Sequence, residues 1–399
     1  MNTQSPSLIL KPDRQKSLLR RHPWVFSGAV ARLVGQPQPG AVVDILASDG
    51  QFLAQAAYSP DSQIRARVWT WDRQDHVDTA FLRQRLQAAI SSRQSLLDAN
   101  ESNAVRLVHA ESDGLPGLVV DQYGDLLVVQ LLSWGVDHFR ETIADLSLEL
   151  TGAAAIYERS DAEVRHLEGL ALRSQILRGS LSQSLYPIHE HEVKYLVDVA
   201  AGHKTGFYID QRANRLLVRQ LSRGREVLDC FSYSGGFTLN ALKGEAASVT
   251  MVDDSAEALA LAQQNITLNN LPIDKVESID GDVFKILRKF RDQARQFDML
   301  ILDPPKFAPT RAQANQAARG YKDINLLAFK LLRPGGVLVT FSCSGGVDAA
   351  LFQKIVAGAS LDAGVHARIT ARLGPGPDHP VALNFPEGDY LKGLVCQIS

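Results

Sequence analysis

Four aspartates stand where apolar runs give way to loops: Asp229 in REVLDCFSYSGG, Asp253 in ASVTMVDDS, Asp282 in VESIDGDVF and Asp303 in FDMLILDPPKF. Such runs read as buried strands of a parallel sheet, so each carboxylate is delivered to the sheet's carboxyl edge. Open α/β sheets keep their ligands at that edge. After Asp229, residues Ser232, Ser234, Gly235 and Gly236 precede a helix-like run, and glycines there let a ligand approach the backbone closely. Asp253 follows this turn at about the 20-residue spacing from which a carboxylate can bind the two hydroxyls of a ribose. The turn is neither a GxGxxG nor a GK[ST] loop, which sets aside a dinucleotide fingerprint and a P-loop. Any one of these acids alone reads as a cap or turn residue. Four at consecutive strand ends point to an adenosine-containing ligand. Two prolines after Asp303 can enter neither a central strand nor a helix interior, so they stiffen the loop that carries Lys306 and Phe307.

The elements that must position these groups follow from periodicity. From about residue 190 strands alternate with helical patterns, the βαβ signature of a parallel sheet. SAEALALAQQNITLNN is a helix opening on a Ser255 cap. VLVTFSCSGG reads as a strand parallel to MLILD, which brings Cys343 to the same sheet edge as Asp303. Before residue 190 the grammar differs. AVVDILAS, QFLAQAAYS after the Asp49-Gly50 turn, and IRARVWTW are short β pieces of a small barrel. A helical stretch, DTAFLRQRLQAAISSRQSLLD, leads to VRLVHA and to GLVVDQYGDLLVVQLLS, a hairpin turning at Tyr123-Gly124-Asp125. The expected division is 1–75, an α+β block over 76–189, and an α/β block over 190–399.

A chain of 399 residues that is 45% hydrophobic can fill two or three cores. No apolar stretch reaches membrane-span length, and MNTQSPSLILKPDRQK lacks a signal-peptide core, so a cytoplasmic address is expected. Three cysteines without a CxxC spacing argue against a disulfide framework and against a zinc site; no metal is expected. With 42 basic and 44 acidic residues, indiscriminate nucleic-acid binding is disfavoured. Local basicity does occur in KPDRQKSLLRRHPWVF, where Lys11, Arg14, Lys16, Arg20 and Arg21 precede Trp24 and Phe26. A solvated helix face would look much the same, and each aromatic taken singly reads as barrel core.

On these residues the C-terminal block resembles the class I S-adenosylmethionine (SAM) methyltransferases. LDCFSYSGG resembles their SAM loop, VDDS the ribose-binding acid, GDVF the adenine-side acid and DPPKF the catalytic loop. HKTGFYIDQRANR resembles the lead-in of RNA cytosine-C5 methyltransferases of the large-subunit methyltransferase I type. The likeness spans the chain, because those enzymes carry an N-terminal PUA domain and an α+β middle domain. It implies a Rossmann-like, mostly parallel α/β catalytic domain behind a PUA-type β-barrel. It implies SAM as cofactor, with Tyr208, Asp210, Gln211, Arg212, Asp229, Phe231, Ser232, Gly235, Asp253, Asp282 and Asp303 beside cofactor or substrate. DHPVALNFPEGDYLKG resembles the family's closing strands and receives no catalytic role.

The resemblance also bears on the atom methylated. Enzymes acting on exocyclic amines carry an aromatic after the two prolines, whereas this chain has Lys306 there; other cytosine-C5 enzymes carry a cysteine in the loop, and here there is none. Residue type alone leaves Cys343 open between a small core side chain and a nucleophile. With the likeness it becomes the nucleophile, Asp303 the group on the ring edge, and Lys306 an electrostatic aid to the thiolate. Cys230 and Cys396 read as core. The expected reaction is methylation of carbon 5 of one cytosine in 23S rRNA, on free RNA, with no DNA or membrane partner and a homodimer compatible. Two rivals stand: an RNA methyltransferase acting on another base atom, and a non-catalytic SAM-fold RNA-binding protein.

Overall fold

The computed structural model describes residues 5–98, 101–307 and 314–399. The chain forms two compact units. One comprises the chain up to Ile188 with Val197–Ile209 and Pro377–Gly388; the other comprises His189–Leu196, Asp210–Gly376 and Asp389–Ser399.

The first unit holds two sheets. The N-terminal six-stranded sheet runs in the order Trp24–Phe26, Ile64–Thr70, Phe52–Tyr58, Val42–Leu46, Ser7–Leu10, Val30–Val34. Leu8, Val25, Val43, Ile45, Ala54 and Ala66 form its core. Trp24 and Phe26 lie outside that core, contrary to their single-residue reading. Side chains alternate across a strand, so burying Val25 turns its neighbours outward. Phe26 is 47% exposed, and the Trp24 indole N–H donates to Glu111 at 2.8 Å. The five-stranded sheet includes the expected hairpin, Leu118–Tyr123 against Leu126–Leu131. Buried Asp121 accepts two bonds from Arg106, at 2.7 and 2.8 Å, and one from Thr205 at 2.6 Å, which ties the 197–209 segment into this unit. Asp378 accepts from the Arg106 N–H at 3.0 Å and does the same for 377–388.

The second unit carries a seven-stranded sheet. Its strands are β1 (Glu226–Cys230), β2 (Ser248–Asp253), β3 (Val276–Asp280), β4 (Phe297–Leu302), β5 (Leu332–Ser342), β6 (Ala367–Leu373) and β7 (Lys392–Ile398). Their order is β3-β2-β1-β4-β5-β7-β6, with β1 to β5 parallel and β7 antiparallel to both neighbours. Helices α1 (Arg212–Leu221), α2 (Gly236–Lys243), α3 (Ala256–Leu268), α4 (Val283–Asp292), α5 (Ala314–Leu331) and α6 (Ala349–Ala363) complete it. Covered strands explain why MLIL is an unbroken apolar run: Met299, Leu300, Ile301 and Leu302 are all fully buried. Ser255 caps α3 as expected, accepting from the Ala258 N–H at 3.1 Å. The DHPVALNFPEGDYLKG stretch departs from its reading as closing strands. Its Pro380 and Pro386 resist ladder pairing, a short turn occupies Pro386–Gly388, and extended structure begins only at Lys392. Among the described residues no helix is long and apolar enough to cross a membrane.

Candidate active site

The carboxyl end of β1 feeds a tight loop into α2. Phe231 and Tyr233 take left-handed conformations (φ 61° and 47°), which non-glycine residues adopt only when surroundings hold them. Those holds are visible. The Ser232 N–H donates to Val252 O at 3.1 Å and the Tyr233 N–H to Asp253 Oδ2 at 2.8 Å. Asn265 on α3 donates to Ser234 O at 3.2 Å, and the Phe231 ring lies edge-on to Phe284 on α4. Gly235 is also left-handed (φ 82°), and a Cβ there would meet Ala262 and Leu239 at 2.9 Å. Glycine is what this turn requires.

Three of the strand-end acids converge electrostatically. Asp229 is fully buried, and burial, with the negative charges of Asp303 and Asp253, pushes its carboxyl up to about 7 against a lowering hydrogen bond from Thr238. Thr238 supplies that bond at 2.7 Å to Oδ2. The other oxygen, Oδ1, and the Ser232 hydroxyl are buried without a hydrogen-bond partner. Asp253 ends β2 and also accepts the Ser255 N–H at 3.1 Å. Asp303, just past β4, accepts from Gln211 Nε2 at 3.0 Å. Gln211 is in turn held by Asn214 at 2.5 Å, and Asn214 donates to Gly374 O at 3.0 Å. Asp210 accepts from the Tyr390 hydroxyl at 2.5 Å. Arg212 lies 3.7 Å from buried Glu190, which Arg215 grips at 2.7 Å. Asp282 is exposed and caps α4 through the Lys285 N–H. Tyr208 belongs to the first unit, where Lys204 sits over its ring at 4.4 Å.

Beyond β4 and its parallel neighbour β5 two further loops meet. The Cys343 thiol lies 3.9 Å from the Pro304 carbonyl, inside the DPPK loop. Cys343 is half-buried while Cys230 and Cys396 are buried. Burial pushes the Cys230 thiol well up and that of Cys396 up to about 11, so both stay protonated at neutral pH. Lys306 is exposed. Phe307 anchors the loop against Tyr321, ring centroids 4.7 Å apart. Thr238, Asn214, Asn265 and Tyr390 escaped the sequence reading, because single polar residues inside helices and loops give no spacing signal.

The loop therefore presents orphaned buried polar atoms, a close-approach glycine and a cluster of carboxylates. This donor set fits a ligand that combines sugar hydroxyls with positive charge, as SAM does through its ammonium and sulfonium groups. Fold and site together define a class I SAM-dependent methyltransferase. Residues 164–374 match the family described as S-adenosylmethionine-dependent methyltransferase, and residues 8–71 match a PUA-like domain. Ribosomal RNA large subunit methyltransferase I of Klebsiella pneumoniae (strain 342) is 50% identical over 98% of both chains. The protein of the same name from Escherichia coli O139:H28 is 48% identical over 99% of this chain and 100% of its own. A solved chain from Streptococcus mutans, described as SAM-dependent, and a methyltransferase complexed with SAH share the fold at TM-scores of 0.85 and 0.86, each with 20% identity over 98% of this chain and 99% of theirs. The chain belongs to the ribosomal RNA large subunit methyltransferase I family, and its cofactor is SAM.

Proposed function

We propose that this chain methylates carbon 5 of one cytosine in 23S rRNA, with Cys343 as nucleophile. The observation that carries the reading is the half-buried Cys343 thiol at 3.9 Å from Pro304 O, at the sheet edge where the carboxylates gather. Bound SAM supplies an electrophilic methyl group; Asp229, Ser232, Gly235 and Asp253 would hold it, and the family likeness sets Asp210, Gln211 and Arg212 beside cofactor and substrate. Carbon 5 of cytosine is a poor nucleophile, and the thiolate answers that need. As the Cys343 sulfur bonds to carbon 6, the electron pair of the 5,6 double bond becomes available at carbon 5. Asp303, steadied by Gln211, is placed to hydrogen-bond the ring edge and to serve the ring nitrogen's proton. Carbon 5 would take the methyl group as its bond to the SAM sulfur breaks, leaving S-adenosylhomocysteine, and loss of the carbon 5 proton to a base then re-forms the double bond and expels the thiolate. Lys306 adds positive charge near the loop.

The target base must leave its stack, at a cost of a few kcal/mol that a pre-opened loop reduces. Residues 1–75 are read as the RNA-binding module, 76–189 as the middle block and 190–399 as the catalytic one, in a cytoplasmic protein. Free 23S rRNA is the proposed substrate, since an assembled subunit restricts access to a flipped base. Nucleoside mass spectrometry after incubation with SAM tests this. The wild type is expected to yield 5-methylcytidine on naked 23S rRNA and not on intact subunits, and Cys343→Ala to yield none. An active Cys343→Ala, or a different modified nucleoside, would sink the reading.

A further inference from the structure

Lys392 begins β7, inside a sheet and flanked by buried Leu391 and Gly393. Lysine is seldom buried unless paired, yet this one is only 7% exposed, and among the described residues it makes no ion pair. Register explains where its side chain goes. Ser342 on β5 faces Lys392 on β7, so the lysine side chain starts at the end of β5, where the chain runs on through Cys343 into a turn. There Nζ donates to Ser344 O at 2.9 Å and to Val347 O at 2.7 Å. Those carbonyls bracket the Ser344–Val347 turn that follows Cys343, which the Val347 N–H closes onto Ser344 O at 3.1 Å. A second hold comes from α5, where the Tyr321 hydroxyl meets Ser344 Oγ at 2.9 Å.

The titratable groups that act on the ammonium are Asp389, Cys343, Asp348 and Lys306. Burial draws the Lys392 pKa down, Asp389, Cys343 and Asp348 raise it, and Lys306 beyond β4 lowers it further. Cys343 is therefore within electrostatic reach of a cation whose two bonded carbonyls do not neutralise it. A positive charge near a thiol favours the thiolate.

We propose that Lys392 is the positioning residue of the nucleophile: it fixes the Ser344–Val347 turn that follows Cys343 through two carbonyls and places a buried positive charge that favours the Cys343 thiolate. This rests on the reading of Cys343 as nucleophile. It departs from the reading of Lys306 as the aid to the thiolate, because Lys306 is exposed and solvent weakens its field.

The test is the pH dependence of Cys343 alkylation by iodoacetamide, read by peptide mass spectrometry on the full-length protein. Wild type is compared with Lys392→Gln, Lys392→Met and Lys392→Arg. Gln keeps N–H donors for the carbonyls without the charge, Met suits a buried site, and Arg keeps the charge. SAM binding and a thermal melt identify the folded variants. Either folded neutral variant is expected to alkylate about tenfold more slowly at pH 7, the equivalent of one pH unit in the thiol midpoint, and Arg to restore the wild-type midpoint. A purely structural role would move the melt and leave the midpoint alone. An unchanged midpoint in a folded neutral variant overturns the proposal and leaves Cys343 as nucleophile. An active Cys343→Ala, by contrast, overturns the nucleophile and the role of Lys392 with it.

Discussion

Asp229 shows how one residue can trade stability for binding. Its carboxyl, pushed up to about 7 by burial first and by Asp303 and Asp253 after it, is neutral in the fold at acidic pH and ionised in the unfolded chain above about pH 4. The folded pKa is raised, so the stability it contributes is fully present below about pH 4 and is lost as pH climbs through 7. The shift corresponds to on the order of 4 kcal/mol. Ligand-free Asp229→Asn removes the ionisation while Asn can still accept from Thr238. Its melting temperature is expected to exceed the wild type's at pH 8, to match it more closely at pH 5, and to come with weaker SAM binding by calorimetry. Equal pH dependence in both proteins would contradict this account. Strain of this kind recurs at sites that wait for a ligand.

At the scale of elements, the β1–α2 loop is the part most sharply specified by its backbone. Gly235→Ala puts a Cβ at 2.9 Å from two neighbours in a left-handed residue, and the conformation alone costs about 1–2 kcal/mol for a non-glycine residue. The variant is expected to melt several degrees lower and to bind SAM at least tenfold more weakly. Gly345→Ala is the control, because nothing lies within 4 Å of its would-be Cβ and its φ is not left-handed. A tolerated Gly235→Ala would mean that the loop is adjustable rather than fixed. This loop was legible in the sequence because strand, glycines and helix are contiguous, as were Asp253 and Asp303 at the ends of apolar runs. Other features were not contiguous. Lys392 meets its carbonyl partners from the far side of a strand pair, and Glu190 meets Arg215 from a different element. The insertion of β7 between β5 and β6 is a pairing choice that hydrophobic pattern does not encode. Asp282 read as a strand end because the glycine before it hides the break; the strand stops at Asp280 and Asp282 caps the helix.

For the whole molecule the question is how a chain of net charge −2 engages a polyanion. Balanced charge leaves the work to local clusters, and the N-terminal segment supplies one: Lys11, Arg14, Lys16, Arg20 and Arg21 are all exposed. Phe26, exposed beside them, adds a ring on which a base can stack. The solvated-face reading and the RNA-contact reading differ in one measurable way. Each cation that neutralises a phosphate releases a counterion and steepens the salt dependence of binding by roughly 0.7–0.9 in log–log slope. Replacing Lys16, Arg20 and Arg21 together by Gln is expected to flatten the slope for 23S rRNA by about two. SAM affinity should stay unchanged, because these side chains belong to the first compact unit and the SAM loop to the second. Filter binding across a salt series, beside calorimetry with SAM, reads both. An unaltered slope would mark the segment as a solvated surface, and the cations that meet RNA would then have to be sought elsewhere on the chain.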